Sequence, residues 1–140
     1  MAGPNYVMDK GFIADVAIGS AATGPDLATS YDYFLFVKVI SGSQDHVTLA
    51  TAANDPIIGV SQMRVLTADA GSIVADVRIE GISKVVAGAA VAIGAPVTSN
   101  ASGRAVTATT GQRGAGVALQ TAAANGDLID VQLTPGGQAP

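Results

Sequence analysis

The residues able to do chemistry are few and scattered. The single histidine, His46, ends the polar run Ser41-Gly42-Ser43-Gln44-Asp45-His46. An imidazole beside a carboxylate is the beginning of a general-base relay. The relay also needs a presented nucleophile, and the chain has no Gly-x-Ser-x-Gly elbow to supply one. A zinc site needs several His, Cys or carboxylate ligands converging on the ion, whereas there is one His and no Cys. His46 therefore reads as a solvated turn residue. Carboxylates fall in two loose pairs, Asp9 with Asp15 and Asp26 with Asp32. Glycoside cleavage would need such a pair held at fixed separation in a cleft, beside aromatic platforms for the sugar; tryptophan is absent. The glycine run Gly111-Gln112-Arg113-Gly114-Ala115-Gly116 does not match the dinucleotide fingerprint and lacks its strand and helix context. No catalytic, cofactor-binding or metal-ligating residue is expected, and the chain reads as non-enzymatic.

The elements around these residues point to an all-β protein. The 140 residues suit one domain or a domain with an arm. The seven Lys and Arg residues stand singly and the net charge is −4, so the basic stripe of a nucleic-acid binder is missing. The most apolar stretch, Val85 to Val97, is short and broken by two glycines and a proline, which excludes a membrane-spanning helix there. The first residues, Met1-Ala2-Gly3-Pro4-Asn5-Tyr6, lack the basic and apolar regions of a signal peptide, so a soluble, non-secreted protein is expected.

Short apolar runs separated by many of the 17 glycines are the punctuation of an all-β chain. In Ile73-Val74-Ala75-Asp76-Val77-Arg78-Ile79-Glu80, one face carries Ile73, Ala75, Val77 and Ile79, and the other Asp76, Arg78 and Glu80. Leu128 to Leu133 alternates likewise, with Ile129, Val131 and Leu133 inward. These strands close two similar series. Val47-Thr48-Leu49-Ala50-Thr51, Gly59-Val60 and Asp76-Val77-Arg78-Ile79 are matched in order by Val106-Thr107-Ala108-Thr109-Thr110, Gly116-Val117 and Asp130-Val131-Gln132-Leu133. Two similar halves closing on one core, as in a small barrel or a folded β-ribbon, are expected; the alternative is chance similarity in an Ala/Val/Thr/Gly-rich chain. Residues 83–92 are the one stretch with helix character, with loop or strand as alternatives. The expected organisation is an extended arm over residues 1–30, a β domain over 31–134 with possible duplicated units at about 33–81 and 91–134, and a flexible tail over 135–140. Phe34 and Phe36 read as core anchors, whereas Tyr31 and Tyr33 could face a partner, since tyrosine joins apolar area to a polar tip.

Two regions carry a resemblance to a known family. Asn5-Tyr6-Val7 followed by Asp9 and Gly11 is similar to the family's opening. Gly59-Val60, Ala68-Asp69-Ala70-Gly71-Ser72-Ile73-Val74 and Val77-Arg78-Ile79-Glu80-Gly81-Ile82 resemble its central pattern, which continues through Ala89 to Val97, Gly116-Val117-Ala118-Leu119 and Ile129 to Leu133. The segment Tyr31 to Asn54 departs from that pattern. The resemblance is to a family of small bacteriophage head decoration, or capsid cement, proteins, similar in role to the lambda head decoration protein, and it implies a β-tulip or β-clip type of fold and frequent homotrimers. It also implies attachment to major capsid protein on the outer capsid surface of a virion, after synthesis in the host cytoplasm. Asn5, Tyr6, Val7 and Phe12 are then the expected capsid contacts, and Tyr31 and Tyr33 candidates for an oligomer or capsid interface. No cofactor, nucleic acid or membrane partner is implied. The rival readings are another virion component, such as a tail or spike module, and a β-clip domain that binds a small molecule or acts as an enzyme.

Overall fold

The computed structural model describes residues 8–15, 18, 33–65, 70–72 and 74–138. Among these residues there is no helix, and nine strands follow one another: β1 (Met8–Ala14), β2 (Phe36–Val39), β3 (His46–Leu49), β4 (Ile57–Ser61), β5 (Val74–Val86), β6 (Pro96–Ser99), β7 (Ala105–Thr107), β8 (Arg113–Ala118) and β9 (Leu128–Gln138). The alternation read around residues 75–79 is realised in β5, where Ala75 and Val77 are buried between outward Val74, Asp76 and Arg78.

The strand order is β1-β3-β2-β4-β5-β9-β8-β6-β7, and β1 also pairs with β5. The first five strands therefore close into a barrel. Its interior holds Phe12, Ala14, Val37, Val47, Ala75 and Val77. The second sheet continues from the other end of β5, and a parallel bridge, Ala87↔Ala105, links the end of β5 back to β7. One 13-residue strand thus serves both halves. It passes from one to the other at Gly81, whose φ of 93° lies where a side chain would be strained.

The two halves share hydrogen bonds as well as shape. The pairs Val37↔Gly59 and Val60↔Arg78 recur as Val97↔Gly116 and Val117↔Gln132. The Ala50 N–H donates to the Phe36 carbonyl at 2.9 Å, and the Ala108 N–H to the Pro96 carbonyl at 2.8 Å. The bonds Ser61 to Leu35 and Ala118 to Ala95 are both 3.0 Å, and Gln62 to Asp76 and Leu119 to Asp130 both 2.8 Å. The parallel pair Ala14↔Val47 recurs as Ala87↔Ala105, and the bridge Ile18↔Val65 as Val91↔Ala122. The equivalence starts at β1 in the first half and inside β5 in the second.

Three expectations are corrected. Residues 8–14, expected within an arm, form the barrel wall, because inward Phe12 and Ala14 suffice to seat the strand. Residues 135–138, expected to be a tail, extend β9, where Gly137 pairs with Gly114. Residues 83–86, the start of the helix candidate, remain strand because Ser83 and Val85 alternate inward.

The halves dock through the loop between β3 and β4. The Thr98 hydroxyl donates to the Ala53 carbonyl (3.0 Å) and the Ser99 hydroxyl to the Ala50 carbonyl (3.1 Å). Asp55 holds this loop in shape by accepting from the Thr51 N–H (2.8 Å), the Ala52 N–H (3.0 Å) and the Lys38 ammonium (2.9 Å). Burial disfavours its charge, but the hydrogen bonds from Thr51, Lys38 and Ala52, together with the Lys38 charge, outweigh burial and hold the carboxyl below its ordinary 3.8. A carboxylate favoured in the folded state adds stability that is complete above the unfolded-state value and fades as pH falls through the folded one. Asp55→Asn is therefore expected to cost about 1–2 kcal/mol at neutral pH. Urea unfolding of both proteins should show that gap closing as pH falls below 3.8.

Candidate functional site

The inward rows of the barrel end in a mouth that no other described residue covers. Met8 and Phe12 of β1, Val39 of β2, Ile58 of β4, and Ile79 and Glu80 of β5 line an apolar groove of about 550 Å³. Phe12 is buried at its floor, and the Lys10 ammonium lies 4.8 Å from its ring centroid, a cation–π contact. Met8 and Val39 are 39% and 41% exposed.

The second half has the same mouth, filled. By the shared hydrogen-bond register, Val85, Ser99, Ala115 and Leu133 stand where Phe12, Val39, Ile58 and Ile79 stand in the first half. All four are at most 4% exposed. Phe36, Ile57 and Val60, from the outward face of the first barrel, complete their cluster. No other described residue covers the corresponding outward face of the second half. The register row Ile82↔Gln132↔Val117↔Pro96 crosses it, and Ile82, Val117, Leu119 and Ile93 are exposed, the last 65%. In the first half the same row reads Asp9↔Arg78↔Val60↔Phe36, with Val60 and Phe36 fully buried.

The chemically capable side chains are spent on joining strands. His46 is corrected from a solvated turn residue to a seam residue: its Nδ1 lies 2.6 Å from an Asp15 carboxylate oxygen, and the ring is part-buried. The Lys10 ammonium donates to Asp45 at 2.7 Å, and this hydrogen bond with its charge holds the Asp45 carboxyl below its ordinary value. Both pairs cross the β1–β3 closure beside two backbone bonds, Ile13 N–H to the Asp45 carbonyl and Asp15 N–H to the Val47 carbonyl. Asp9 is engaged by the Arg78 guanidinium at 2.9 Å, whereas Asp15 faces His46, so the two carboxylates serve different partners. Among the described residues no group of three His, Cys, Asp or Glu side chains could hold a metal ion. No helix there is long and apolar enough to cross a membrane.

Of the residues singled out in sequence, Phe12 belongs to the core and reaches the surface only as the floor of the groove. Tyr33 is half-buried, its ring 4.5 Å from that of Phe34 and tilted by 38°. Asn5, Tyr6, Val7 and Tyr31 lie outside the described residues, as do Asp26 and Asp32. Sequence reasoning missed the mouth and the bare face. Met8, Val39 and Ile58 carry no motif, and only the comparison of two equivalent halves marks them.

A protein-family profile described as phage cement protein matches residues 38–133. No curated protein matches the chain in sequence. Among solved structures, the fold is similar to the N base of the head fiber gp8.5 of bacteriophage phi29. The TM-score is 0.64 at 15% sequence identity, covering 92% of this chain and 95% of that one.

Proposed function

The chain belongs to the phage cement protein family, and from that premise we propose that it is a non-enzymatic protein that decorates and stabilises the outer surface of a phage capsid by binding major capsid protein. A capsid-associated virion location follows from the family; synthesis in the host cytoplasm and homotrimeric assembly belong to the proposal. The observation that carries the reading is the family match across the β body. The structure adds support, because His46, Asp9 and Asp15 are held in strand-joining contacts while apolar side chains are left facing outward. Several weak contacts made at once by an oligomer give avidity, since the later ones become intramolecular.

The capsid contacts are placed at Asn5, Tyr6 and Val7, with Tyr31 and Tyr33 as further interface residues; Phe12 is withdrawn because it is needed in the barrel. A leading segment of this kind can lie along an exposed strand edge of a shell subunit. Deleting residues 1–7 leaves β1 whole. Cosedimentation with shells lacking the protein should show binding weakened about tenfold or more, the loss of roughly one good contact residue. Undiminished binding would move the contact elsewhere. A second reading, in which the chain is the base of a projecting fibre, takes support from the fold it shares with the head fiber base. Imaging of labelled particles separates them: cement covers the head lattice without a projection, and a fibre base carries one.

A further inference from the structure

We propose that the open mouth of the first barrel receives the bare outer face of the second half of another copy of this chain, in the contact that the two halves already make with each other. The proposal concerns association of the free protein. It deepens the self-association reading above and needs no capsid.

The internal contact supplies the template. One barrel mouth, built on Val85, Ser99, Ala115 and Leu133, is closed by an outward sheet face carrying Phe36, Ile57 and Val60. The matching hydrogen bonds identify the counterparts of both surfaces. The counterpart of the closed mouth is the groove of Met8, Val39, Ile58 and Ile79, which nothing in the chain's described residues covers. The counterpart of the closing face is the row through Pro96 and Val117, since Pro96 pairs with Val117 as Phe36 does with Val60. The groove is apolar, and on the closing row Ile82 and Val117 are exposed on either side of Gln132, beside half-buried Pro96. Of the seven exposed large hydrophobic side chains among the described residues, Met8 and Val39 lie at the mouth, and Ile82, Ile93, Val117 and Leu119 belong to the half that carries the plug. Exposed apolar side chains grouped in this way mark interaction surfaces.

Each copy therefore carries one socket and one plug, on opposite halves. Such a contact is heterologous: the plug of one copy enters the socket of the next, leaving that copy's own plug free for a third. It closes into a ring or runs on, according to the rotation between copies. A dimer held by one such contact alone has no two-fold symmetry.

The test uses the full purified chain, with mass read by sedimentation equilibrium from about 1 to 100 μM, the span over which moderate protein contacts form. The wild type is expected above the 13.8 kDa of one chain. Val39→Glu places a charge in the socket and Val117→Glu one on the plug. Each is expected to weaken association about thirtyfold or more, as loss of a hot spot does. Mixed together, they should form a dimer and nothing larger, because Val117→Glu retains a sound socket and Val39→Glu a sound plug. Circular dichroism checks folding, and Met8→Glu and Ile93→Glu replace either variant that fails it. A wild type that stays at one chain overturns the proposal, and so does a mixture that stays monomeric or grows beyond the dimer. An oligomer untouched by both variants overturns these surfaces while leaving self-association standing. If removing residues 1–7 creates association absent from the full chain, those residues fill the groove and the proposal fails. It fails equally if the wild type is a monomer and Val39→Glu instead abolishes shell binding, which would assign the groove to the capsid.

Discussion

Gly116→Ala is expected to lower stability by about 3 kcal/mol and the thermal midpoint by about 10 °C. A Cβ at Gly116 would fall well short of van der Waals contact distance from the Gln132 carbonyl oxygen on β9 and lie 2.8 Å from Val131 Cγ1. The obstacle is backbone fixed in a strand ladder, where Gly116 pairs with Leu133 and Val117 with Gln132, so relief requires the two strands to part. Gly59→Ala should cost a similar amount, because its Cβ would meet the Arg78 carbonyl and lie 3.0 Å from Val77 Cγ1. These glycines occupy equivalent places in the two halves, and each lets a neighbouring strand come close. Thermal unfolding of both variants checks the expectation; a fall of only a degree or two in either would show that the ladder can yield.

Phe36→Ala should be at least as damaging, at about 4 kcal/mol, the usual cost of emptying a buried phenylalanine site. Phe36 is fully buried among Val85, Val97, Ala115 and Leu133 of the second half, although its strand belongs to the first barrel. Its N–H donates to the Gly103 carbonyl at 2.8 Å and its carbonyl accepts from Ala50, so the backbone is pinned on both sides. The cavity cannot readily collapse around so fixed a strand. Phe36→Leu should recover most of the loss, since it keeps most of the volume. Urea midpoints for the three proteins test this; equal midpoints for the alanine variant and the wild type would mean that the halves do not depend on this ring.

Some of this architecture is legible in the residues. Alternation of Ala75, Val77 and Ile79 against Asp76, Arg78 and Glu80 gives a strand, and Gly-Val followed by Asp-Val pairs the halves in the register seen as Val60↔Arg78 and Val117↔Gln132. The first strand of each series is less legible. Val47 reads as the partner of Val106, but the hydrogen bonds of Ala50 and Ala108 set it against Ala105. Neighbouring small apolar residues look alike in sequence, and only the ladder distinguishes a shift by one. β1 is hidden because Met8-Asp9-Lys10-Gly11 has no apolar alternation, its hold coming from Phe12, Ala14 and two ion pairs across the seam. The start of the second half is hidden inside β5, where Gly81 is the only mark of the passage. The mouth depends on what is left uncovered, which no single residue type announces.

The strand common to both barrels has a mechanical consequence. Pulling either barrel open tears a wall from the other, because Val74–Val86 is a single uninterrupted span. Local melting is thereby converted into collapse of the whole body, and load entering at one end is carried along peptide bonds to the far end without crossing a hinge. A body built this way is expected to yield as a whole, in one cooperative step.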